Sequence, residues 1–462
     1  MSGLANREER PTELEFWLTG LVCCAWAVAL TDAFWPGLMS LDSVEQLAQG
    51  TVGAYTSNPR PTPAYVNGLV WWLWGSLWPL VLFQLLVLSG SMAIVLRGGK
   101  PLVRRGGLLL FLLVPTIWTL GVTLWRDVAM AVCLAAAIAA LSSRRWIIAT
   151  GFLVAALLCR HNAIVAVAPL AVLVARAALP GALKVQALFG AGVLAVVVAG
   201  ARLVELPLQG VDTCPSCALL LEDLAGIASQ SEADFAASPL ASQTTYLELR
   251  RNYSTRSASG MLYVCEPKVW CDDMFGYPTP ERAKPAIEAC HQVISKEIHG
   301  AGGRCLSLRW AKEHRDELGS AWMHAFTERP EWFVSSKVER YLMLLGLSTQ
   351  DVYYPFQEKV APNWFGIKLW ESELAPYLTT ARAGLRDTVL FRGAFWVSLS
   401  LLLLALAIRR RHVFAGAVAA SGFLYAAAYL PSAPAADFRY LFWVVVAVFV
   451  AGACLVSRDP LA

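Results

Sequence analysis

The chain has 462 residues, of which 57% are hydrophobic and only 16% are charged, and its mean hydropathy is +0.51. A water-soluble domain of this size normally carries more charge, so the composition excludes an ordinary soluble protein and predicts an all-α polytopic membrane protein. The net charge of +4 decides little by itself, because in a membrane protein the positions of Lys and Arg along the chain carry the information.

Apolar stretches long enough to cross about 30 Å of hydrocarbon predict about ten transmembrane helices. They cover residues 15–34, 78–96, 107–124, 127–142, 146–159, 163–179, 186–204, 388–408, 413–431 and 438–456. The Trp-rich segment 63–76 is interpreted as a helix that lies along the outer membrane interface and does not span, since indole rings are favoured there.

Basic residues predict the sidedness. With the N-terminus in the cytoplasm, the basic connections at 97–107, 142–146, 175–184 and 409–412 all fall inside, as the positive-inside rule requires. Three regions follow, which are an N-terminal membrane module (1–204), a large, mainly helical extracytoplasmic domain (205–387) and C-terminal membrane helices (388–462). We therefore expect a multi-pass protein of the cytoplasmic (inner) membrane with its active site on the extracytoplasmic side.

Cysteine usage gives an independent reason to place residues 205–387 outside. Six of the 11 cysteines lie there, namely Cys214, Cys217, Cys265, Cys271, Cys290 and Cys305. An even number in a region that faces an oxidising compartment predicts disulfides. The Cys-Pro-Ser-Cys stretch also leaves open a redox pair or half a metal site. The other five cysteines sit in apolar segments and are interpreted as packing residues.

Apolar residues at helical spacing predict three helices in this outer domain, at residues 279–300, 307–330 and 331–347. The last has the pattern of an amphipathic helix on a membrane surface. In that interpretation Trp332 and Phe333 face lipid, whereas Lys337 and Arg340 face water.

Polar residues cluster at the predicted outer ends of the spans. Asp42 and Glu45 follow the first span, and their spacing of three places them on one side of a helix. The later clusters are Arg126 and Asp127, then Arg160, His161 and Asn162, and finally Asp437, Arg439 and Tyr440. One such cluster alone is often an interfacial anchor with a local ion pair. Several on one face favour a shared site, because polar groups near hydrocarbon are costly unless they pair or line a watery cavity.

Carboxylates among guanidinium groups suit a site that holds an anionic group while it takes a proton from a neutral one. Guanidinium forks match phosphate oxygens in particular. The catalytic candidates are therefore Asp42 and Glu45; the candidates for binding a phosphate or donor are Arg126, Arg160, His161, Arg439 and Tyr440; the supporting residues are Asp127, Asn162 and Asp437. His161 alone is weak evidence for a metal site, and no metal-binding residue is assigned.

The order of these motifs resembles the GT-C superfamily of polytopic membrane glycosyltransferases. The residues that carry the resemblance are Leu-Asp-Ser-Val-Glu-Gln in the first outer loop, Asn-Pro-Arg-Pro before the interfacial helix, the Trp-Arg-Asp and Arg-His-Asn turns, and a late Asp-Phe-Arg-Tyr. It covers about residues 15–204 and 388–456. It implies a polyprenyl-phosphate sugar donor, a glycan, lipid or protein acceptor, and Asp42 as the base or as a metal-site residue. Here Asn-Pro-Arg-Pro replaces the usual His-Pro-Pro, and Ser43 stands where a second acid is common, so a divalent cation is left open as a cofactor.

The expected activity is thus sugar transfer, with Asp42 as general base and arginines that stabilise the leaving phosphate. A polysaccharide polymerase or ligase has similar chemistry. A lipid-linked glycan transporter or flippase would be expected to carry polar residues at mid-membrane depth, where this chain has mostly Leu, Val and Ala. A sensor or assembly factor needs no catalytic cluster. Beyond the substrates, membrane lipids are the expected partners, and no nucleotide loop or nucleic-acid partner is predicted.

Overall fold

The computed structural model describes residues 12–56, 60–179, 183–208, 211–212, 214–253, 271–272, 274–275, 280–297, 306, 308–348, 354–370, 372–433, 435–457, 459 and 461. Over these ranges the protein is all helical, and its few β-type contacts are isolated bridges. The predicted helical class is confirmed at this level.

The first part of the chain contains ten helices in the described ranges. They are α1 (Glu13–Ala33), α2 (Leu41–Val52), α3 (Pro61–Trp74), α4 (Trp78–Leu96), α5 (Pro101–Leu113), α6 (Pro115–Gly121), α7 (Arg126–Ser142), α8 (Trp146–Cys159), α9 (Ala163–Ala178) and α10 (Leu183–Glu205). The described parts of residues 205–387, called the insert from here on, contain α11 (Pro215–Ala228), α12 (Glu232–Ala236), α13 (Tyr246–Asn252), α14 (Lys284–Glu297), α15 (Leu308–Glu313), α16 (Arg315–Glu328), α17 (Pro330–Leu344) and α18 (Ala375–Leu385). The chain ends with α19 (Gly393–Arg409), α20 (Val413–Ala427) and α21 (Phe442–Leu455).

Four helical segments in the described ranges are long and apolar enough to cross a membrane. They are Glu13–Ala33, Trp78–Leu96, Val185–Leu208 and Phe438–Leu455, and the bent pair of α5 and α6 makes a fifth if it counts as one span. The helices α8, α9, α19 and α20 are apolar but shorter. By length and composition the protein thus has four or five candidate spans, as a multi-pass membrane protein would, and the number of ten stays a prediction.

The segment 107–124, predicted as one span, is bent. Helix α5 ends at Leu113, α6 begins at Pro115, and the two axes differ by 57°. Proline has no N–H and disfavours helical geometry in the residue before it, which explains why Val114 is extended. The bend brings the chain to Thr123, which forms a parallel bridge with Leu38.

The last helix lies at the centre of the membrane bundle. Its segment Phe438–Leu455 is 83% buried, and α21 packs against α4, α6, α7, α19 and α20. Hydrogen bonds add to the apolar packing of α21. Trp443 Nε1 donates a hydrogen bond to Ser421 Oγ at 3.1 Å. Ser421 in turn donates to the backbone oxygen of Ala166 at 2.6 Å. These contacts fix α21 relative to α20 and α9.

Helices α2 and α3 cross in backbone contact. A Cβ built on Gly50 would lie 2.0 Å from the oxygen of Ala64, and one built on Gly68 would lie 2.4 Å from the Gly50 backbone. No side chain fits at either position without moving a helix. The Trp-rich segment forms a helix, as predicted, and this helix, α3, is not among the candidate spans of the described chain. Its position at a membrane interface stays a prediction.

The insert has its own apolar core and two described disulfides. Helices α11, α15 and α16 pack around Leu221 and Leu318. The disulfides join Cys214 to Cys217 and Cys271 to Cys290, which confirms the disulfide prediction for these four residues. Cys265 and Cys305 lie outside the described residues. The five cysteines predicted as packing residues are free thiols, namely Cys23, Cys24, Cys133, Cys159 and Cys454.

Helix α17 corrects the predicted orientation of residues 331–347. Phe333 is 3% exposed and packs against Trp322 and Phe326, so it does not face lipid. Arg340, predicted to face water, is 1% exposed. The physical reason is a pair of acids on α11, as Arg340 contacts Glu222 at 2.5 Å and Lys337 contacts Asp223 at 2.5 Å. The cationic face of α17 therefore points into the protein.

The predicted helix 307–330 is also divided. It forms α15 and α16, which meet at His314, and it ends before Pro330, the first residue of α17.

Candidate functional site

The start of α2 is held against the turn before α7. Ser40 and Ser43 form a capping box at the N-terminus of α2, and Ser43 Oγ donates a hydrogen bond to the backbone oxygen of Leu124 at 2.8 Å. Trp125 Nε1 donates to Ser40 Oγ at 2.9 Å. Asp42, in the first turn of α2, is thereby placed beside the turn that leads into α7.

Arg439 is at the centre of the site. Its Nη2 contacts Asp42 Oδ2 at 2.7 Å, and its Nε contacts Asp437 Oδ2 at 2.8 Å. Its guanidinium carbon lies 4.9 Å from the ring centroid of Trp125 and 5.1 Å from that of Tyr440. Asp437 caps the short helix Phe438–Leu441 and accepts a hydrogen bond from the backbone N–H of Arg439 at 3.1 Å.

A second ion pair lies at the same end of the bundle. Arg160 Nη2, just after α8, contacts Asp127 Oδ1 at 2.7 Å in the first turn of α7. The Arg160 guanidinium also stacks on Tyr440, 5.1 Å from the ring centroid. The Tyr440 ring thus forms cation–π contacts with both Arg160 and Arg439, and it joins the two ion pairs into one cluster.

Arg126 completes the cluster. As the first residue of α7 it lies close enough to Asp42 and Asp127 for electrostatic attraction, and close enough to Arg160 and Arg439 for repulsion. The cluster therefore holds three arginines and three aspartates, and their formal charges cancel. We call these six residues the Arg/Asp cluster.

Two carboxylates of this cluster differ in pKa. Burial raises the pKa of Asp42, but Arg439, Arg126 and Arg160 together lower it more, so it lies below the ordinary value of 3.8. Burial raises the pKa of Asp437 to about 6, against the opposing effect of Arg439. Asp42 is therefore ionised at neutral pH, and it is the more exposed of the two.

Tyrosines of α20 and the following turn support the cluster. Asn162 Nδ2 donates a hydrogen bond to the hydroxyl of Tyr429 at 2.7 Å, and the Tyr425 and Tyr429 hydroxyls are 2.9 Å apart. The Tyr429 ring stacks on Tyr440 with 5.3 Å between the centroids. These buried hydroxyls fix the ring on which both arginines rest. Tyr425 and Tyr429 were not among the predicted site residues.

An irregular segment connects the two halves of the site. We call residues 354–370 the strap. The backbone of Tyr354 bonds to Ala436 and Phe438, on either side of Asp437. Further along the strap, Gln357 Nε2 donates to the backbone oxygen of Met39 at 3.0 Å. The strap therefore ties the Asp437 segment to the residues that precede α2.

The structure thus brings together most of the predicted site residues. Those in the cluster, in contact with it, or linked to it through Tyr429 are Asp42, Arg126, Asp127, Arg160, Asn162, Asp437, Arg439 and Tyr440. Glu45 lies one turn after Asp42 and accepts a hydrogen bond from Gln49 at 3.1 Å. His161 is exposed in the turn between α8 and α9. The catalytic and binding roles of all these residues stay predictions.

An ion pair between Arg60 and Glu205 was missed. Arg60 Nη1 lies 2.6 Å from Glu205 Oε2, and both side chains are largely buried. Arg60 precedes α3, and Glu205 ends α10, so the pair ties the start of α3 to the start of the insert. The sequence indicates this pair only by an arginine directly before Pro61, because the partner Glu205 is distant along the chain.

No protein-family model, curated protein or solved structure matches the chain. The resemblance to the GT-C superfamily therefore rests on the motifs alone. Within the described residues, no group of three His, Cys, Asp or Glu side chains is placed to hold a metal ion. The carboxylates of the Arg/Asp cluster each contact an arginine, and an arrangement of this kind suits the binding of an anion next to an ionised base.

Proposed function

We propose that the protein is an integral membrane glycosyltransferase of the GT-C type. It moves a sugar from a polyprenyl-phosphate-linked donor to an extracytoplasmic glycan, lipid or protein acceptor. The observation that carries the proposal is the contact of Asp42 with Arg439 at 2.7 Å inside a cluster that also contains Arg126 and Arg160. An ionised carboxylate beside several guanidinium groups provides a base and a phosphate site within one short distance.

In the proposed reaction the arginines hold the phosphate of the donor. Asp42 takes the proton of the acceptor hydroxyl as the oxygen of that hydroxyl forms a bond to the anomeric carbon. The bond between the anomeric carbon and the phosphate oxygen breaks, and polyprenyl phosphate leaves with the electron pair. Fixed guanidinium charges are most effective where negative charge develops, which here is the leaving phosphate.

The surroundings of the arginines support this assignment. Arg439 is held by Asp437 and by the rings of Trp125 and Tyr440, and Arg160 is held by Asp127 and Tyr440. Groups fixed in this way lose little rotamer freedom when an anion binds. The arginines are therefore preorganised for one phosphate group.

The test is sugar transfer by the full-length protein, purified in detergent. Mass spectrometry would detect glycosylated acceptor or released polyprenyl phosphate from a panel of polyprenyl-phosphate sugars. We expect product with the wild type and a loss of at least about 10³-fold with Asp42→Asn, because the amide cannot take a proton. A transporter or flippase would move the lipid without product.

The matched control is Asp32→Asn. Asp32 accepts a hydrogen bond from Ser372 at 2.7 Å, which an asparagine oxygen can also accept, so this variant should keep both its fold and its transfer activity. An active Asp42→Asn enzyme would remove the assigned base.

A further inference from the structure

Asp42 is not needed to hold Arg439. Asp437 forms an ion pair with Nε at 2.8 Å, and the rings of Trp125 and Tyr440 lie next to the guanidinium. The Tyr440 hydroxyl accepts a further hydrogen bond from Nη2 at 3.3 Å. Asp42 adds only one contact, between its Oδ2 and Nη2. Arg439 would therefore keep its position if Asp42 moved away.

The contact with Asp42 lies on the accessible side of the arginine. The Asp42 side chain is 43% exposed, whereas those of Asp437 and Asp127 are 12% and 3% exposed. A buried carboxylate that loses its arginine becomes an unpaired buried charge, which is costly, but an exposed one regains water. Asp42 is thus the carboxylate of the cluster that can leave its arginine most easily.

Carboxylate and phosphate oxygens use the same guanidinium donors. Arg439 Nη2 already contacts Asp42 Oδ2, so a phosphate oxygen that takes this donor position must replace that carboxylate. Arg439 Nη2 is the donor whose present acceptor is the most exposed.

We propose that Asp42 occupies, in the empty protein, the position on Arg439 Nη2 that a phosphate oxygen of the bound polyprenyl phosphate takes, and that binding of this anion releases Asp42. The inference rests on the proposed function and adds an order of events to it. A carboxylate bound to a guanidinium group is a weak base, because the guanidinium favours its ionised form. Release by the donor phosphate makes Asp42 a stronger base only when a donor is present.

The test measures binding and needs no sugar transfer. Isothermal titration of the full-length protein in detergent with farnesyl phosphate, a soluble prenyl monophosphate, gives the dissociation constants of wild type and Asp42→Asn. Displacement predicts that Asp42→Asn binds about two- to fivefold more tightly, since a partly exposed ion pair no longer competes. A purely structural role of Asp42 predicts the opposite sign, because Arg439 would lose part of its support.

Two variants separate displacement from a general effect of charge. Asp32→Asn removes one negative charge outside the Arg/Asp cluster and keeps an oxygen for Ser372, and it should leave the dissociation constant within about twofold of that of the wild type. In an Arg439→Gln background the gain from Asp42→Asn should disappear. Thermal unfolding checks that each variant is folded.

The outcomes distinguish the two proposals. If the wild type binds farnesyl phosphate and Asp42→Asn binds it equally or more weakly, displacement is overturned and the phosphate site of the proposed function stands. An equal gain in Asp32→Asn also overturns displacement. If neither the wild type nor Asp42→Asn binds farnesyl phosphate, both proposals are overturned.

Discussion

At the scale of single residues, Tyr440 connects the two ion pairs of the site. Arg160 and Arg439 both lie 5.1 Å from its ring centroid, and Tyr429 stacks on the same ring. A cation over a tyrosine ring contributes about 0.5–2 kcal/mol, more when water is excluded. The orientation of both arginines therefore depends on how firmly this ring is held.

Tyr429→Phe tests that dependence. It removes the hydroxyl that accepts from Asn162 and contacts the hydroxyl of Tyr425, and it leaves the amide of Asn162 without this acceptor. We expect the KM for the lipid donor to rise about three- to tenfold. The reason is that the lost hydrogen bond contributes about 1 kcal/mol to the orientation of the Tyr440 ring. Steady-state transfer kinetics measure the KM. Tyr425→Phe keeps the contact between Asn162 and Tyr429, so its effect should be smaller, and an equal effect of both would contradict the ordering.

Residues of the site were predictable where they stand at the ends of apolar segments. Asp42, Arg126, Arg160 and Arg439 are all of this kind, because a charge next to hydrocarbon signals a partner. Tyr429 gave no such signal, since a tyrosine near the end of a span is common at membrane interfaces. Its role depends on two hydroxyl contacts that only the folded chain creates.

At the scale of helices, the crossing of α2 and α3 is one of two anchors that position Asp42. The two helices approach so closely at Gly50 and Gly68 that their backbones touch. The N-terminus of α2 is fixed separately by Ser43 and Trp125. A shift of α2 at the crossing would therefore pull Asp42 away from Arg439.

Gly68→Ala should disturb this crossing. Its Cβ would lie 2.4 Å from the Gly50 backbone, where no flexible side chain can move aside. We expect a loss of about 2–3 kcal/mol of stability or more, seen as a lower thermal unfolding temperature together with reduced transfer. Gly20→Ala is the matched control, because α1 has nothing within 4 Å of that Cβ. It should be neutral or slightly stabilising.

The existence of most helices was predictable from apolar spacing, but the orientation of α17 was not. The sequence from residue 331 to 347 has both aromatic and cationic residues, and a membrane surface is the usual way to satisfy both. Glu222 and Asp223 reverse that interpretation, because they offer Arg340 and Lys337 buried partners from a distant helix. Periodicity alone contains no information about such partners.

At the scale of the whole molecule, Arg340 links the insert to the membrane helices. Besides its contact with Glu222, it donates a hydrogen bond to the backbone oxygen of Ala433 at 3.4 Å, in the connection between α20 and α21. The same connection leads to Asp437 and Arg439. A change in the charge of Glu222 would therefore alter the contacts of Arg340 that attach the insert close to the candidate site.

Burial raises the pKa of Glu222 to about 7 from the ordinary value of 4.5, although Arg340 lowers it. The stabilisation from a raised carboxyl pKa is fully present below pH 4.5 and is lost as the pH rises through about 7. Glu222→Gln cannot titrate. We expect it to gain stability relative to the wild type, by up to about 3 kcal/mol, when the pH is raised from about 5 to about 8.

Thermal unfolding of both proteins across this pH range measures the difference. Glu331→Gln, on the exposed face of α17, should follow the wild type at every pH. If Glu222→Gln were less stable than the wild type at about pH 8, the ion pair between Glu222 and Arg340 would outweigh the cost of burying the carboxylate.

The helical class and the convergence of the terminal motifs were predictable from composition and from charges at the ends of apolar segments. The strap could not be predicted, because residues 354–370 have no periodic pattern and act through backbone contacts with Met39, Ala436 and Phe438. The bend between α5 and α6 was not predicted, since residues 107–124 were expected to form one span, although Pro115 is a residue type that favours such a break.

Among the four long candidate spans of the described chain, the segment Phe438–Leu455, which contains α21, is the most buried. The arginine that contacts Asp42 comes from this segment, far along the chain from Asp42 itself. A protein truncated before Phe438 would therefore lack Arg439 and Tyr440 together with the segment that packs at the centre of the bundle. Such products should be early substrates of membrane quality-control proteases.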